Sequence, residues 1–476
     1  MVNTHMQFGL AVAAGALALT TLGCGLIQLC DPTPLSPWEP ALAMEGTRLR
    51  LGLPLYENAH ATHMYGPLLT GLYAVVFRMA GHPSFIAARV CMCIFGLALV
   101  VTLTAIVCHR KQLAYWCIAF GLFFGLNLRT NLVGFSMQPD VAAAAGGTIA
   151  LVLWARRSGS ASSVAALLLF AAAFLVKQTA AAFTLIPIVQ ELVWSRPVRP
   201  HRVIAACTPL AVILVVLVLL RLLLPEVFTA MVTVPAAIRV RAELFWPVLV
   251  LLLVSFPIFL LSAALRVHSS EPLNELERWI VSALGVLVPL TVWIMCKSGS
   301  DSNSLLFTLL AMTAFVALQI DRLTALVSRL PNASEMAAAA AVIVLVFVSF
   351  FCRYERTMAL LQARCGDDKY DTAVTISAGA APGEVISPQD PTIAYRASGF
   401  LGHSLFLELD KFADHGEWPA VLPPPVQAEL ATARAVIQVR SYVPTPVFDR
   451  GLKANNFRPV QVAALNHSAY TLWAKQ

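Results

Sequence analysis

Long apolar runs decide what this chain can become. A membrane span takes about 20 apolar residues. By that measure the sequence offers about eleven, at 8–29, 84–108, 113–134, 140–155, 162–176, 179–194, 203–224, 245–265, 279–296, 304–320 and 336–352. Composition agrees, with 58% hydrophobic and 12% charged residues and a mean hydropathy of +0.74. A soluble chain has roughly 45–50% apolar and about 25% charged residues. The expected fold is an α-helical polytopic membrane protein with about eleven transmembrane helices. The run Phe8 to Leu29 reads as a retained span, because it lacks an early Lys or Arg and exceeds a signal-peptide core in length. The net charge of +7 comes with no basic stripe, so nucleic acid is not an expected partner. Most of the ten cysteines lie inside apolar runs, where Cys behaves as a small hydrophobe, and no CxxC pair exists.

The connections set an orientation. His109–Lys111, Arg156 with Arg157, the run 195–202, Arg266 through Arg278, and Asp321 to Glu335 fall on one side. That side is the cytoplasm by the positive-inside rule if the N-terminus is inside. Arg48, Arg50, Arg129, Lys177, Arg239, Arg241 and Lys297 fall on the other side. Cations on the face where the rule expects few suggest a local anion to bind.

Residues 30–82 form a long first exterior loop that gathers prolines, acids, histidines, tyrosines and arginines. Within it 66–80 is too short for a confident span and reads as a helix lying on the membrane surface. Residues 1–352 make the membrane domain. After Arg353 the composition turns polar, and 365–476 read as a separate, exterior α/β domain. GEVISP, ARAVIQV and TLWAK resemble strands and 424–435 a helix. Nothing in that domain carries a recognisable catalytic motif.

Ser36-Pro37-Trp38-Glu39 fits a capping box, so Glu39 either satisfies a helix start or serves as a general base presented by it. Asp31 is the rival acid and suits a turn. Tyr56, His60, His63 and Tyr65 are candidate substrate contacts. The two histidines, three apart beside Glu57, leave a divalent metal open, while interfacial Tyr and His also occur for amphipathic reasons alone. Arg129 and Asp140 bracket a short exterior loop, and Asp140 also suits a helix cap. Lys177, followed by Gln178, interrupts two apolar runs at an exterior turn and is read as anion-binding. Lys297 and Asn303 lie in a third exterior loop, otherwise a polar turn with a helix cap.

In their order, "GLPLYENA", "YGPLLTGLYAVVFRMAGHPSFIAARV", "MQPD", "AFLVKQTA" and "KSGSDSNSLL" resemble a GT-C-type integral membrane glycosyltransferase over about the first 320 residues. The nearest families are the protein mannosyltransferase-like and aminoarabinose transferase-like proteins of bacteria. The resemblance implies transfer of a sugar from a polyprenyl-phosphate donor to a lipid, glycan or protein hydroxyl, at the outer face of the cytoplasmic membrane, with inversion. It makes Glu39 the base, where the families carry an Asp-Glu pair and this chain has Trp38-Glu39. It makes Asp140 the acid opening a later span and Lys177 the phosphate-binding cation, with Arg129 and Lys297 as further cations. No cofactor is implied with certainty. The other readings are a transporter or lipid flippase, and an assembly factor working through its C-terminal domain.

Overall fold

The computed structural model describes residues 4–56, 65–108, 111–156, 159–297, 302–330, 332–351, 369–411, 419–439, 445–466 and 468–476. It is mostly helical. The membrane body begins with α1 (Thr4–Cys30), α2 (Trp38–Arg50), α3 (Pro67–Ala80), α4 (Phe85–Val107), α5 (Leu113–Arg129), α6 (Pro139–Arg156) and α7 (Ser160–Val176). Among the described residues, length and composition qualify five helices as spans, or up to seven if two bent pairs each count as one. The bent pairs are Ala242–Val254 with Pro257–His268 (83°) and Asn303–Leu318 with Ile320–Ser328 (46°).

The remaining four runs of the eleven differ for physical reasons. α5 and α7 have only 17 residues each. α6 carries Asp140 and Arg156 at its two ends. The run expected at 179–194 divides into a 3-10 stretch, Gln178–Leu185, and a short helix, Ile186–Trp194. Most of α6 is buried, so its neighbours there are protein rather than lipid and its sequence is less strongly apolar. Close backbone approach helps to pack this interior: a Cβ on Gly121 of α5 would lie 2.4 Å from the Ala14 carbonyl oxygen of α1.

Polar groups separate to the two ends of the bundle. At one end Gln7 donates to Tyr115, Lys111 pairs with Asp321 at 2.5 Å, and Glu277 takes Arg266 and Arg322 at 3.1 and 2.9 Å. Lys111, Arg266, Glu277, Asp321 and Arg322 come from three of the connections that the sequence assigns to one side. At the other end lie the start of α4, the start of α6 and the end of α7. α3 forms where a helix is expected. It buries Leu69, Tyr73 and Phe77 against α2 while Leu68, Val75 and Met79 stay exposed.

Residues 369–476 carry a four-stranded sheet, β1 (Val385–Ile386), β2 (Ala435–Val439), β3 (Phe457–Val460) and β4 (Tyr470–Lys475), in the order β1-β2-β4-β3. β1 and β2 are parallel, and the other pairs are antiparallel. Three strands and the helix Pro424–Thr432 fall where the sequence suggests, and β3, interrupted by Pro459, was not foreseen. The sheet does not stand apart. Tyr370, Ile393, Phe406, Ile437 and Tyr470 share one apolar cluster with Leu42, Tyr73, Phe77 and Met92 of the membrane body. Arg50 donates to Gly81 and to Tyr395, and the Trp38 and Phe406 rings lie 6.3 Å apart. This unit therefore closes over α2 and α3.

Within it Asp390 is fully buried, its Oδ1 accepting from the Thr392 N–H and hydroxyl. Burial pushes its carboxyl up to about 7, against the lowering effect of Thr392 and Arg396. A raised acid favours the folded state when protonated. That stability is full below about pH 4 and is lost as pH rises through about 7. Asp390→Asn should accordingly raise the melting temperature at pH 8.5, by an amount reflecting up to a few kcal/mol, and change little at pH 4. Thermal denaturation at the two pH values checks this, and equal shifts at both would contradict it.

Candidate active site

Glu39 opens the first turn of α2 and is completely buried. Its Oε1 accepts from Arg89 Nε at 3.1 Å and from the Met137 N–H at 3.0 Å. Its Oε2 accepts from Arg89 Nη2 at 2.5 Å and from the Leu35 N–H at 2.7 Å. Arg89 also donates to the carbonyls of Gln28, Asp31 and Thr33. The capping box does not form as expected, because Glu39 reaches back to Leu35 and Ser36 Oγ makes no hydrogen bond among the described residues. With both oxygens committed and a guanidinium against them, this carboxylate has no free lone pair aimed at a substrate. The reading of Glu39 as general base gives way to a positioning role. It ties α2 to α4 and fixes Met137, whose carbonyl also accepts from Tyr73 at 2.5 Å.

Three residues beyond Met137, Asp140 stands in the first turn of α6, buried. Lys177, at the end of α7, donates to its Oδ1 at 2.6 Å. Asn303 donates to Oδ2 at 3.1 Å and to Gln138 at 2.6 Å. The Lys177 ammonium also lies 5.7 Å from the centre of the Tyr65 ring. Tyr65 is delivered by Gly66, whose N–H donates to Val176 at 3.3 Å and where a Cβ would fall 1.7 Å from the Leu175 carbonyl oxygen. Only glycine lets the loop come that close to the end of α7. Tyr56 joins through its hydroxyl, which donates to the Tyr65 carbonyl at 3.2 Å.

Asp140, Lys177, Asn303, Tyr65 and Tyr56, chosen from four separate stretches of sequence, therefore meet at one end of the bundle. Gln178, half-buried, follows Lys177 directly. An ammonium has three N–H donors, and Asp140 is the one hydrogen-bond acceptor of Lys177 among the described residues, so two donors remain for a ligand.

Two expected cations are used otherwise. Arg129 is buried, donating to the Ser255 carbonyl and hydroxyl and to the Ser349 carbonyl, with its guanidinium 5.3 Å from the Phe256 ring. It pins the break between two helices to the last described span, and these contacts take up its two terminal nitrogens. Lys297 donates to the Pro235 carbonyl at 2.8 Å and ties the segment before residue 241 to the end of Glu275–Met295. Burial lowers its pKa. His60 and His63 lie outside the described residues, among which no group of three or more His, Cys, Asp or Glu is placed to hold a metal.

The structure also brings in residues that the sequence reading passed over. Arg89 sat inside a run read as apolar, yet a lone arginine in such a run implies a buried partner. Glu45 and Arg48, three apart on α2, and Glu408, from the C-terminal unit, are all buried. An apolar cavity of about 770 Å³ runs toward the opposite end of the bundle, lined in part by Phe183, Phe307, Leu287, Trp279, Arg156 and Glu275.

The chain shares its fold with ArnT from Cupriavidus metallidurans. It is similar to that protein bound to undecaprenyl phosphate at 14% identity and a TM-score of 0.59, covering 96% of this chain and 97% of the other. The apo state gives 15% identity and a TM-score of 0.60 over the same shares. No family model matches the sequence, and no curated protein matches it.

Proposed function

We propose that this protein transfers a sugar from a polyprenyl-phosphate carrier to an acceptor hydroxyl on a lipid, glycan or protein. The reaction takes place at the outer face of a bacterial cytoplasmic membrane, where the C-terminal unit also lies. The observation that carries this reading is the fold shared along nearly the whole length with ArnT, a protein crystallised with undecaprenyl phosphate.

The site's chemistry suits the reaction. An acceptor oxygen attacks the anomeric carbon as the bond to the phosphate oxygen breaks, inverting that centre. Phosphate is a stable leaving group, so no acid need protonate it, unlike the alkoxide a glycosidase expels. Its charge does need a cation held in a water-poor setting. Lys177, oriented by Asp140 with two donors to spare, supplies that cation, and Asn303 holds Asp140 in place. The apolar cavity suits an isoprenoid tail.

Binding tests this separately from turnover. Undecaprenyl phosphate added to the purified protein in detergent should raise its melting temperature, because a ligand of the folded state alone stabilises it. Undecaprenol, which lacks the phosphate, should do so less. Equal shifts from the two lipids would remove phosphate recognition from the account.

A further inference from the structure

The last hairpin of the C-terminal unit opens at its loop end. β4 pairs with β2 as far as Tyr470, but its pairing with β3 stops where Leu472 faces Val460. From Gln461 the chain leaves the sheet, and it returns only at Tyr470. Between the parted strands lies a cleft of about 510 Å³, to which Gln461, Asn466, Ser468, Tyr470 and Thr471 contribute polar groups.

The loop around this cleft is tied in shape by its own hydrogen bonds. The Leu465 N–H donates to the Val462 carbonyl at 2.9 Å. The Ser468 hydroxyl donates to the Leu465 carbonyl at 2.8 Å and accepts from the Tyr470 N–H at 3.1 Å. A cleft already held open costs a ligand little ordering.

The second observation is Thr471. It lines the cleft at 7% exposure, and its hydroxyl has no hydrogen-bond partner among the described residues. Buried hydroxyls are nearly always paired, because a dry one loses its bonds to water without replacement. A ligand group that can hydrogen-bond would relieve that loss.

The lining selects the ligand. None of its described residues is charged at neutral pH, so neither a phosphate nor a cation is provided for. What it offers are amides and hydroxyls, which both donate and accept. Gln461 and Asn466 are exposed at the mouth, where a ligand would first meet them. An uncharged polyol matches this set, and the volume falls in the range of small-ligand sites, roughly 300–1,000 Å³. The cleft also backs onto the transfer site. Its Leu465 and Tyr470 share an apolar cluster with Tyr73 and with Met137, three residues before Asp140.

We infer that this cleft binds a neutral glycan, and that this glycan is the acceptor of the transfer. Gln461, Asn466 and Thr471 are binding residues and add no chemistry to the step. The acceptor role rests on the transferase reading above, and the binding does not.

Full-length labelled protein in detergent would be applied to an array of immobilised oligosaccharides. Neutral hexose and N-acetylhexosamine chains would stand beside uronic-acid chains and unglycosylated peptides. The neutral glycans should bind. Thr471→Val should weaken that binding about tenfold, the loss of one good hydrogen bond, and Asn466→Ala by a similar factor. The melting temperature of Thr471→Val should not fall, because the hydroxyl it removes is unpaired. With the bound glycan as acceptor, both variants should raise its KM by the same factor and leave kcat unchanged. Binding of charged glycans or peptides alone, no binding at all, or unchanged affinity in both variants would overturn the site. If sugar then still passed to a lipid or protein, the transferase reading would stand. Neutral-glycan binding by a protein that transfers no sugar would overturn that reading and the acceptor role, and leave the binding site.

Discussion

Replacing Lys177 by methionine is expected to abolish sugar transfer and to destabilise the protein at the same time. The two effects have separate causes. Transfer should fall by at least about 100-fold, the usual cost of removing one preorganised charge-stabilising donor. Stability should fall because Asp140, 2% exposed, would be left buried without its cation and with only Asn303 against it. Breaking one side of a buried pair costs about 3–5 kcal/mol. Lys177→Met combined with Asp140→Asn removes both charges, so the melting temperature should return toward that of the wild type while transfer stays lost. Recovery of transfer in the double variant would show that the pair serves only to hold α6 against α7.

Arg89 is the second position where a large effect is expected, and here the effect is on the fold. Its guanidinium gathers Glu39 and the carbonyls of Gln28, Asp31 and Thr33 into one knot at the exterior end of α4. Arg89→Met strands a fully buried carboxylate and several carbonyls, with a loss of about 3–5 kcal/mol or more. Adding Glu39→Met should restore part of it, because two apolar side chains of similar length replace the pair. The measurement is a double-mutant cycle on melting temperature in detergent. Additive losses would mean that the pair is not coupled and that Glu39 is free for another task.

Much of this architecture is legible in the sequence because a bilayer imposes one strong rule. Backbone groups in lipid must be satisfied by helices, so apolar runs mark them well. Helix α3, the exterior loop and the polar C-terminal unit follow from the breaks in those runs. Helix count is less legible, since buried helices such as α6 do not face lipid and their composition is diluted. The helix break at residue 255 leaves little trace beyond Ser255 and Pro257.

The site was legible in part, and the division is physical. Asp140, Lys177, Asn303 and Tyr65 can be singled out because each is a polar interruption at the end of an apolar run. Which of them meet depends on tertiary packing, and the same signal also picked out Arg129 and Lys297. Those two satisfy carbonyls exposed by a helix break and a loop. Glu39 and Glu45 look alike in sequence, two acids on one short helix. Arg89 distinguishes them, and it comes from fifty positions away. The exterior unit showed no motif, and its cleft forms only where β3 and β4 part.

The most direct test of the account is transfer itself. Purified full-length protein in proteoliposomes would be given a panel of radiolabelled undecaprenyl-phosphate sugars with envelope lipids or glycans as acceptors, and the products resolved by mass spectrometry. The account predicts a labelled glycoconjugate formed in equal amount with free undecaprenyl phosphate, and neither from the Lys177→Met, Asp140→Asn double variant. Movement of the labelled lipid across the bilayer with no glycosyl product would contradict it and identify the protein as a transporter.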